Sequence, residues 1–327
     1  MLTAYYHDAT KLVQRPLAPD SPLPGPVWID LLTPTAEEDA QVEALLGIKI
    51  PTLAEMEEIE LSSRLYHEDG AEFMTMVGLI GLDTDEPAKS LITFILKGTT
   101  LVTVRYAEPR PFQAYLARAQ KPGNVVCASG EQVLLGLAEA MGDRLADALE
   151  MVGNQIDQIS RAVFRKKSTS AKTFQHDLRT IVEQIGIKAE VLTMVQESLV
   201  SISRMMSFHV PLDAGTDGPG RDTREFIEVI QRDAVSLGEH ARTLSAKIEF
   251  LLNATLGLIN LEQNQIIKIF SVVAFVFLPP TLVASIYGMN FDFMPELHWP
   301  FGYPMALGLM VLSAITPYLY FRSRGWL

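Results

Sequence analysis

The sequence predicts an α+β cytoplasmic domain with a long stalk helix, followed by a two-helix transmembrane hairpin. Three observations support this fold class. The 23 residues from Ile269 to Phe291 contain no charged residue and no histidine, a length that lets a helix cross a bilayer. A second apolar run extends from Tyr303 to Tyr320. Upstream, the hydrophobic pattern changes from strand-like to helical at about residue 129.

The first part of the chain, residues 1–128, is predicted to be a mixed α/β domain. Lys97-Gly98-Thr99 is expected to form a hairpin turn, and the acidic segment 83–87 is expected to form a loop. A helix is predicted at 35–46, and strands are predicted at 27–31, 71–82, 90–97 and 100–106.

Residues 129–221 are predicted to form a long antiparallel helical hairpin. Ser129 and Gln132 have the spacing of a capping box at its start. A stretch rich in proline and glycine, 211–220, predicts a break. Asp222 and Glu225 then predict the cap of the next helix.

That helix contains no breaker before Pro279 and is predicted to pass directly into the membrane. At about 1.5 Å per residue, its part before the membrane would be roughly 65–70 Å long. The expected segments are a stalk (222–266), a first transmembrane helix (267–290), an external loop (291–302), a second transmembrane helix (303–321) and a basic cytoplasmic tail (322–327).

The charges beside the two apolar runs predict the topology. Lys268, Arg322 and Arg324 flank the runs on one side, whereas the loop between them contains Asp292 and Glu296 and no lysine or arginine. The positive-inside rule therefore places both termini in the cytoplasm. The absence of a secretory signal agrees with a multi-pass protein of the inner (plasma) membrane.

Composition narrows the classes of function. The net charge is −12, so nucleic acid is not an expected partner and cations are. The one cysteine, Cys127, excludes an internal disulfide and a cysteine-based zinc cluster. No phosphate-binding loop and no nucleophile–base pair occurs. The sequence therefore indicates neither an ATP-driven pump nor an enzyme, and no organic cofactor is expected.

One face of the stalk and first span is small or amide-bearing and carries no charge. We call this face the polar stripe; counted back from the external end in steps of three and four, it comprises Thr281, Leu278, Ala274, Ser271, Ile267, Asn264, Asn260, Gly257 and Asn253. Small residues at this spacing also allow close packing of membrane helices. The three asparagines favour the lining of a water-filled path. Two spans cannot enclose a pore, so the sequence predicts a symmetric homo-oligomer.

The predicted path offers an ion only neutral ligands. The spans contain no carboxylate and no histidine, so a proton relay is not expected. Amide, hydroxyl and carbonyl oxygens suit a hydrated Mg²⁺, which loses its water reluctantly. The carbonyls of Phe275 and Val276, left without donors by Pro279 and Pro280, either face this path or belong to an ordinary kink. The membrane potential would supply about 2.3 kcal/mol per charge per 100 mV.

The end of the chain resembles the CorA family of divalent-cation channels. Tyr287-Gly288-Met289-Asn290 is similar to the Gly-Met-Asn signature of the family, and the segment 291–297 is similar to its external loop. The segments 259–271 and 317–321 resemble the enterobacterial branch. The resemblance is dense from about residue 251 to residue 327.

This resemblance implies a funnel-shaped homopentamer in the lipid bilayer that conducts Mg²⁺ and also Co²⁺ and Ni²⁺. Gly288, Met289 and Asn290 would form the selectivity signature. The other pore-lining positions would be Thr281, Leu278, Phe270, Ile267 and Asn264, of which Phe270 lies one position off the polar stripe. Leu278 and Ile267 stand where some members have methionine, and Asn253 stands where some have an acid.

The family also implies feedback by cytosolic Mg²⁺ bound between subunits. The candidate carboxylates are Asp83 and Asp85 of the α/β domain, facing Glu228 and Asp233 of a neighbouring stalk.

Two alternatives remain at the level of sequence. One is a zinc transporter of the related ZntB type, against which Met289 argues because that branch varies this position. The other is a membrane-tethered metal sensor that conducts nothing, which would have no need of the asparagines in the polar stripe.

Overall fold

The structure, a computed structural model, describes residues 1–17, 25–58, 60–84, 86–164, 171–212, 219–290 and 294–326. The chain divides into two compact units. The first comprises Met1–Lys167 and Thr180–Leu251, and the second comprises Ser168–Arg179 and Leu252–Leu327. Two of the predicted site residues, Asp85 and Asp292, lie outside the described residues.

A seven-stranded sheet forms the centre of the first unit, in the order β2-β1-β3-β7-β6-β5-β4. Only the central pair, β3 and β7, is parallel; all other neighbours are antiparallel. The strands are β1 (Leu2–Asp8), β2 (Lys11–Arg15), β3 (Trp28–Leu32), β4 (Leu65–Glu68), β5 (Ala71–Ile80), β6 (Ala88–Lys97) and β7 (Thr100–Arg105).

The strands predicted at 27–31, 71–82, 90–97 and 100–106 are confirmed as β3, β5, β6 and β7. The predicted turn between the last two is also confirmed, because Gly98 has a φ of 56° in the left-handed region. Strands β1, β2 and β4 were not predicted. Strands β1 and β2 pair with each other as a hairpin, β4 pairs with the following strand β5, and β1 also pairs with β3.

Four short helices accompany the sheet: α1 (Ala36–Leu46), α2 (Leu53–Met56), α3 (Leu61–Arg64) and α4 (Arg110–Ala119). The predicted helix at 35–46 is confirmed as α1. Thr35 caps it by accepting a hydrogen bond from the Glu38 amide at 3.3 Å, and the Glu38 carboxylate accepts one from the Thr35 amide at 3.0 Å. Glu38 also accepts from the Leu2 amide at 2.7 Å, which ties α1 to β1.

Alternate side chains of β3 enter different parts of the core, because successive residues of a strand point to opposite faces. Ile29 and Leu31 belong to a cluster that includes Val42 of α1. The ring of Trp28 stacks on Tyr5 at 4.6 Å between ring centroids and lies 6.2 Å from the ring of Phe112 in α4. The sheet is therefore covered by helices on both faces.

A buried ion pair crosses the parallel pair β3–β7. Arg105 donates to both carboxylate oxygens of Asp30, at 2.9 and 2.7 Å, and Thr103 donates to the first of them at 2.7 Å. Trp28 donates its indole N–H to the Thr103 hydroxyl at 2.9 Å. The Asp30 and Arg105 side chains are only 8% and 10% exposed. A buried pair needs such complete hydrogen bonding to offset its desolvation.

Three long helices follow: α5 (Gly130–Phe164), α6 (Ala171–Phe208) and α7 (Pro219–Tyr287). The predicted cap of α5 is confirmed, since the Ser129 hydroxyl accepts from the Gln132 amide at 3.3 Å. The Gln132 side chain accepts in return from the Ala128 amide, one residue earlier than in a standard capping box. At Gly130 a Cβ would lie 2.3 Å from the Leu101 nitrogen, so only glycine lets α5 begin this close to β7.

Helix α6 covers an open edge of the sheet. Strand β4 pairs only with residues 71–74 of β5. Beyond them, the Ser198 hydroxyl donates to the Val77 carbonyl at 2.6 Å, and the Val77 amide donates to the Ser201 hydroxyl at 3.1 Å. These bonds satisfy backbone groups that would otherwise be open to another strand.

Helix α7 begins at Pro219, so the predicted cap at Asp222 is wrong. Proline is favoured in the first turn because its missing N–H has no helical partner there, and this places Asp222 inside the helix. The helix continues unbroken through Pro279 and Pro280 and has 69 residues. Its buried positions in the first unit recur at helical spacing: Ile227, Ile230, Ala234, Ala241, Leu244, Ile248 and Leu251.

The second unit contains the end of α7, a short 3-10 helix (Pro295–His298) and α8 (Gly302–Ser323). Both α7 and α8 include a segment that is long and apolar enough to cross a membrane, as predicted. Val272 of α7 and Ala306 of α8 are buried, and the rings of Phe275 and Phe321 lie 5.7 Å apart. A Cβ at Gly302 would lie 2.2 Å from the Glu296 carbonyl, so glycine allows the loop to close onto α8.

Candidate functional site

The polar stripe faces away from the second span. Residues of α7 that are buried or partly buried in the second unit include Val272, Val276, Pro279, Val283 and Tyr287, which recur every three or four positions. At about 100° per residue, the membrane part of the polar stripe falls on the opposite side of the helix. One side of α7 therefore packs on α8, and the other remains open in a single chain.

The open side carries the predicted pore-lining positions of α7, except that Ser271 lies at its partly buried edge. Leu278, Phe270 and Ile267 are 65%, 71% and 60% exposed, although each is bulky and apolar. Ser271 is partly exposed, and the other members of the polar stripe are exposed. These are Thr281, Ala274, Asn264, Asn260, Gly257 and Asn253.

A shallow groove of about 470 Å³ runs along the part of this face that is nearer to the Gly-Met-Asn signature. Its lining adds Ser285 to Ala274, Leu278 and Thr281. Sequence reasoning missed Ser285, although it continues the same four-residue spacing beyond Thr281. The Thr281 hydroxyl donates to the Phe277 carbonyl at 2.7 Å, so its oxygen keeps lone pairs for a further donor such as ion-bound water.

The signature lies where α7 ends. The Gly288 amide donates to the Ala284 carbonyl at 2.9 Å, and the Met289 amide donates to the Ile286 carbonyl at 3.3 Å. A Cβ at Gly288 would lie 2.9 Å from the Ala284 oxygen, so this last turn requires glycine. Asn290 follows the helix and is exposed. Of the two predicted acids of the external loop, Glu296 is partly exposed in the 3-10 helix.

The candidate regulatory acids have different surroundings. Asp83 binds two guanidinium groups of its own chain: Arg144, at 2.5 Å, and Arg110. The hydrogen bond and charge of Arg144, together with the charge of Arg110, hold the pKa of Asp83 below its ordinary value. Glu228 and Asp233 are exposed on α7. No signal in the sequence predicted the arginine pairs, because Arg144 is 61 residues from Asp83.

Asp233 borders a groove of about 250 Å³ in the first unit, together with Glu139 and Asp143 of α5. Burial, followed by the neighbouring charge of Asp143, raises the pKa of Glu139. Within the described part of the chain, no three histidine, cysteine, aspartate or glutamate side chains are grouped so that they could hold a metal ion.

A second charged cluster was not predicted. The imidazole of His209 is fully buried and contacts Glu72 through Nδ1 at 2.6 Å and Glu131 through Nε2 at 3.1 Å. Burial opposes the charged imidazole, but the two carboxylates outweigh burial and raise the pKa of His209 to about 9. The cluster joins the end of α6 to β5 and α5, and its geometry is that of a structural ion cluster.

Known proteins resemble the whole of this architecture. Residues 25–323 match the family described as CorA-like Mg2+ transporter protein. The chain is 36% identical over 329 residues to the magnesium transport protein CorA of Escherichia coli strain K12, with 100% of both chains covered. It is 39% identical over 302 residues to the protein of the same name in Haemophilus influenzae, with 92% of each chain covered.

Two solved structures share the fold. The complete CorA magnesium transporter from Methanocaldococcus jannaschii superimposes with a TM-score of 0.77 at 20% identity, covering 100% of this chain and 99% of that chain. The full-length CmaX protein superimposes with a TM-score of 0.67 at 15% identity, covering 99% and 97%. The family match and the full-length identity to curated relatives show that this chain belongs to the CorA family of Mg²⁺ transporter proteins.

Proposed function

We propose that this chain is the subunit of a Mg²⁺ channel whose influx is driven by the membrane potential. The observation that carries the proposal is the uncharged, open face of α7, which lies opposite the α8 contact and leads to Asn290. The full-length similarity to magnesium transport proteins supports Mg²⁺ as the transported ion. Co²⁺ and Ni²⁺, which also bind oxygen and water ligands, are proposed as further substrates.

The proposed pore is formed by several copies of α7 around one axis. A single chain leaves Leu278, Phe270 and Ile267 exposed, and a symmetric ring would gather these side chains into apolar constrictions. Such constrictions close to ions by excluding water. The family resemblance supports a homopentamer. Asn290 at the external mouth would accept hydrogen bonds from the water shell of the entering ion.

We place the protein in the inner membrane with both termini in the cytoplasm. Lys268 at one end of the first span and Arg322 and Arg324 at the corresponding end of α8 support this orientation, since cationic residues favour the cytoplasmic side. Trypsin should therefore cut the large domain only in inverted vesicles. Cleavage of that domain in right-side-out vesicles would contradict the orientation.

Feedback by cytosolic Mg²⁺ is proposed at carboxylates shared between subunits: Asp83 and Asp85 on one side, Glu228 and Asp233 on the other. A bridging cation would remove the repulsion between these carboxylates. It would favour the closed ring over the open ring only to the extent that it binds the closed ring more tightly. In this chain, Mg²⁺ must also compete with Arg110 and Arg144 for the oxygens of Asp83.

A protease assay tests this feedback. Chelation of Mg²⁺ should increase cleavage of the cytosolic domain in the parent protein and have little effect when all four acids are replaced by alanine. Arg144→Gln should strengthen protection at low Mg²⁺, because it removes a competitor. An unchanged Mg²⁺-dependent pattern in the quadruple variant would remove these residues from the sensor without affecting the pore assignment.

The transport proposal is tested with purified full-length protein in liposomes. Uptake of Mg²⁺, Co²⁺, Ni²⁺ and Zn²⁺ is compared at a set, inside-negative potential. Mg²⁺ uptake that increases with the potential supports the proposal. Selective Zn²⁺ uptake would favour the ZntB-type alternative, and binding without uptake of any ion would favour a metal sensor.

A further inference from the structure

The end of α8 is an ordered C-terminal cap. Gly325 adopts a left-handed φ of 71° and donates its amide to the Arg322 carbonyl at 3.1 Å, while the Trp326 amide donates to the Phe321 carbonyl at 3.1 Å. These two bonds define a Schellman motif. The expected apolar contact is present too, because the rings of Trp326 and Phe321 lie 5.3 Å apart. The tail is thus folded back on α8.

The same motif reaches the first span. The ammonium of Lys268 lies 5.7 Å from the centre of the Trp326 ring, and the ring of Phe321 lies 5.7 Å from that of Phe275. The guanidinium of Arg324 lies 5.6 Å from the Tyr320 ring. One corner of the hairpin therefore combines cations from both spans with aromatic rings. We call Lys268, Arg322 and Arg324 with Tyr320 and Trp326 the basic corner.

Among the described residues, the cations of the basic corner have no carboxylate partner. All three are exposed, and no carboxylate among the described residues lies within ion-pair distance of any of them. This contrasts with the first unit, where Arg105, Arg110 and Arg144 all bind aspartate.

We propose that the basic corner binds the phosphate headgroup of an anionic phospholipid. Guanidinium groups bind phosphate through paired hydrogen bonds, and lysine adds a point charge. Tyrosine and tryptophan side chains are partly apolar and partly polar, and they are enriched where the lipid headgroups lie. Tyr320 and Trp326 are 55% and 42% exposed beside the cations. A free phosphate ion has no apolar part that could contact these rings. We therefore propose a lipid as the ligand.

The bound headgroup would join the two spans of one subunit. Lys268 belongs to α7, where the stalk enters the membrane, whereas Arg322 and Arg324 belong to the end of α8. A phosphate bound by both would restrain movement of α7 against α8 at the cytoplasmic boundary. The proposal requires the hairpin to be in a membrane and does not depend on which ion is transported.

The test measures lipid contact at Trp326 in the full-length protein. The parent and all variants carry Trp299→Phe, so that Trp326 is the one tryptophan left in the hairpin. The remaining tryptophan, Trp28, is buried in the first unit. The protein is placed in bilayers in which either phosphatidylglycerol or phosphatidylcholine carries brominated chains that quench tryptophan. Quenching against the mole fraction of each lipid gives its relative affinity.

The parent protein should prefer phosphatidylglycerol by roughly tenfold or more, because each of the three cations attracts the anionic lipid. Combined replacement of Lys268, Arg322 and Arg324 by glutamine should nearly abolish the preference, so that the two lipids quench almost equally. Arg221→Gln with Arg232→Gln and Arg242→Gln, which removes as many charges from α7 in the first unit, should preserve it. Replacement of Arg322 and Arg324 by lysine should retain only part of it, because lysine keeps the charge but cannot form the paired hydrogen bonds.

Equal quenching by the two lipids in the parent protein would overturn the proposal. So would a preference that survives in the glutamine variant. Neither outcome depends on ion uptake, so failure here is distinguishable from failure of the transport proposal.

Discussion

The sheet of the first unit and the hairpin of the second differ in which side chains they bury. In the sheet, even the ionised groups Asp30 and Arg105 are buried and fully bonded within one chain. In the hairpin, apolar side chains as large as Leu278 and Phe270 are 65% and 71% exposed. The sheet completes its interactions within one chain, whereas the hairpin leaves large apolar side chains open, for which we propose contacts with lipid and with neighbouring subunits. Substitutions should therefore affect stability in the first unit and conduction in the second.

The largest effect is expected at Asn290, the proposed external mouth of the pore. Asn290→Ala should abolish Mg²⁺ uptake into liposomes while the oligomer still assembles, because the side-chain amide that would accept hydrogen bonds from the ion's water is lost. Uptake and size-exclusion profiles of the same preparation are the measurements. Leu309→Ala, on the exposed surface of α8, is a matched control that should conduct normally. Near-normal uptake by assembled Asn290→Ala protein would contradict the assignment.

In the sheet, we expect a substitution to lower stability. Asp30→Ala should lower the free energy of unfolding by about 3–5 kcal/mol, because it leaves Arg105 buried without its partner. Melting of the full-length protein, followed through the fluorescence of the adjacent Trp28, measures this. Asp8→Ala breaks an exposed pair with Arg15 at 3.8 Å and should cost less than about 1 kcal/mol. Equal effects of the two variants would remove the distinction between buried and exposed pairs.

A smaller change is expected at the proposed constriction. Leu278→Asn should raise basal Mg²⁺ flux and weaken inhibition by internal Mg²⁺, because a polar side chain keeps a narrow segment wet. Leu278→Met, which preserves apolar character and similar volume, should behave like the parent. Unchanged flux and inhibition in the asparagine variant would show that this side of α7 does not face the ion path.

The smallest effect is a pH dependence in the first unit. The raised pKa of His209, about 9, should stabilise the fold fully below the ordinary histidine pKa of 6.5, and this contribution is lost as the pH rises through 9. Glu72, whose pKa is lowered by His209 despite its burial, acts in the opposite sense: its contribution is present above pH 4.5 and is lost in acid. Glu131 and His67 are the other titratable groups that contact the cluster.

Thermal melting from pH 7 to pH 10 tests the alkaline limb. The parent should lose stability across this range, and His209→Gln should be less stable at pH 7 and show a flatter profile. His240→Gln, at an exposed position of α7, is the control and should retain the parent profile. An equally steep decline in His209→Gln would assign the effect to other groups.

The sequence by itself determined the membrane hairpin, the central strands β3, β5, β6 and β7, the long helices and the polar stripe. These features follow from local signals: an uncharged run, alternation, and three- or four-residue spacing. The stripe predicted from spacing alone lies opposite the face that packs on α8, because side-chain direction on a regular helix depends only on sequence position.

Only the tertiary structure decided which charged groups meet. Arg144 binds Asp83 across 61 residues, His209 joins Glu72 and Glu131 across 137 and 78, and Lys268 lies over the ring of Trp326. Nothing in the local pattern marks these partners, because a charge has no periodicity and its partner is chosen by the packing of distant elements. The start of α7 at Pro219 was missed for a related reason: proline signals both a break and a first turn, and the surrounding fold decides between them.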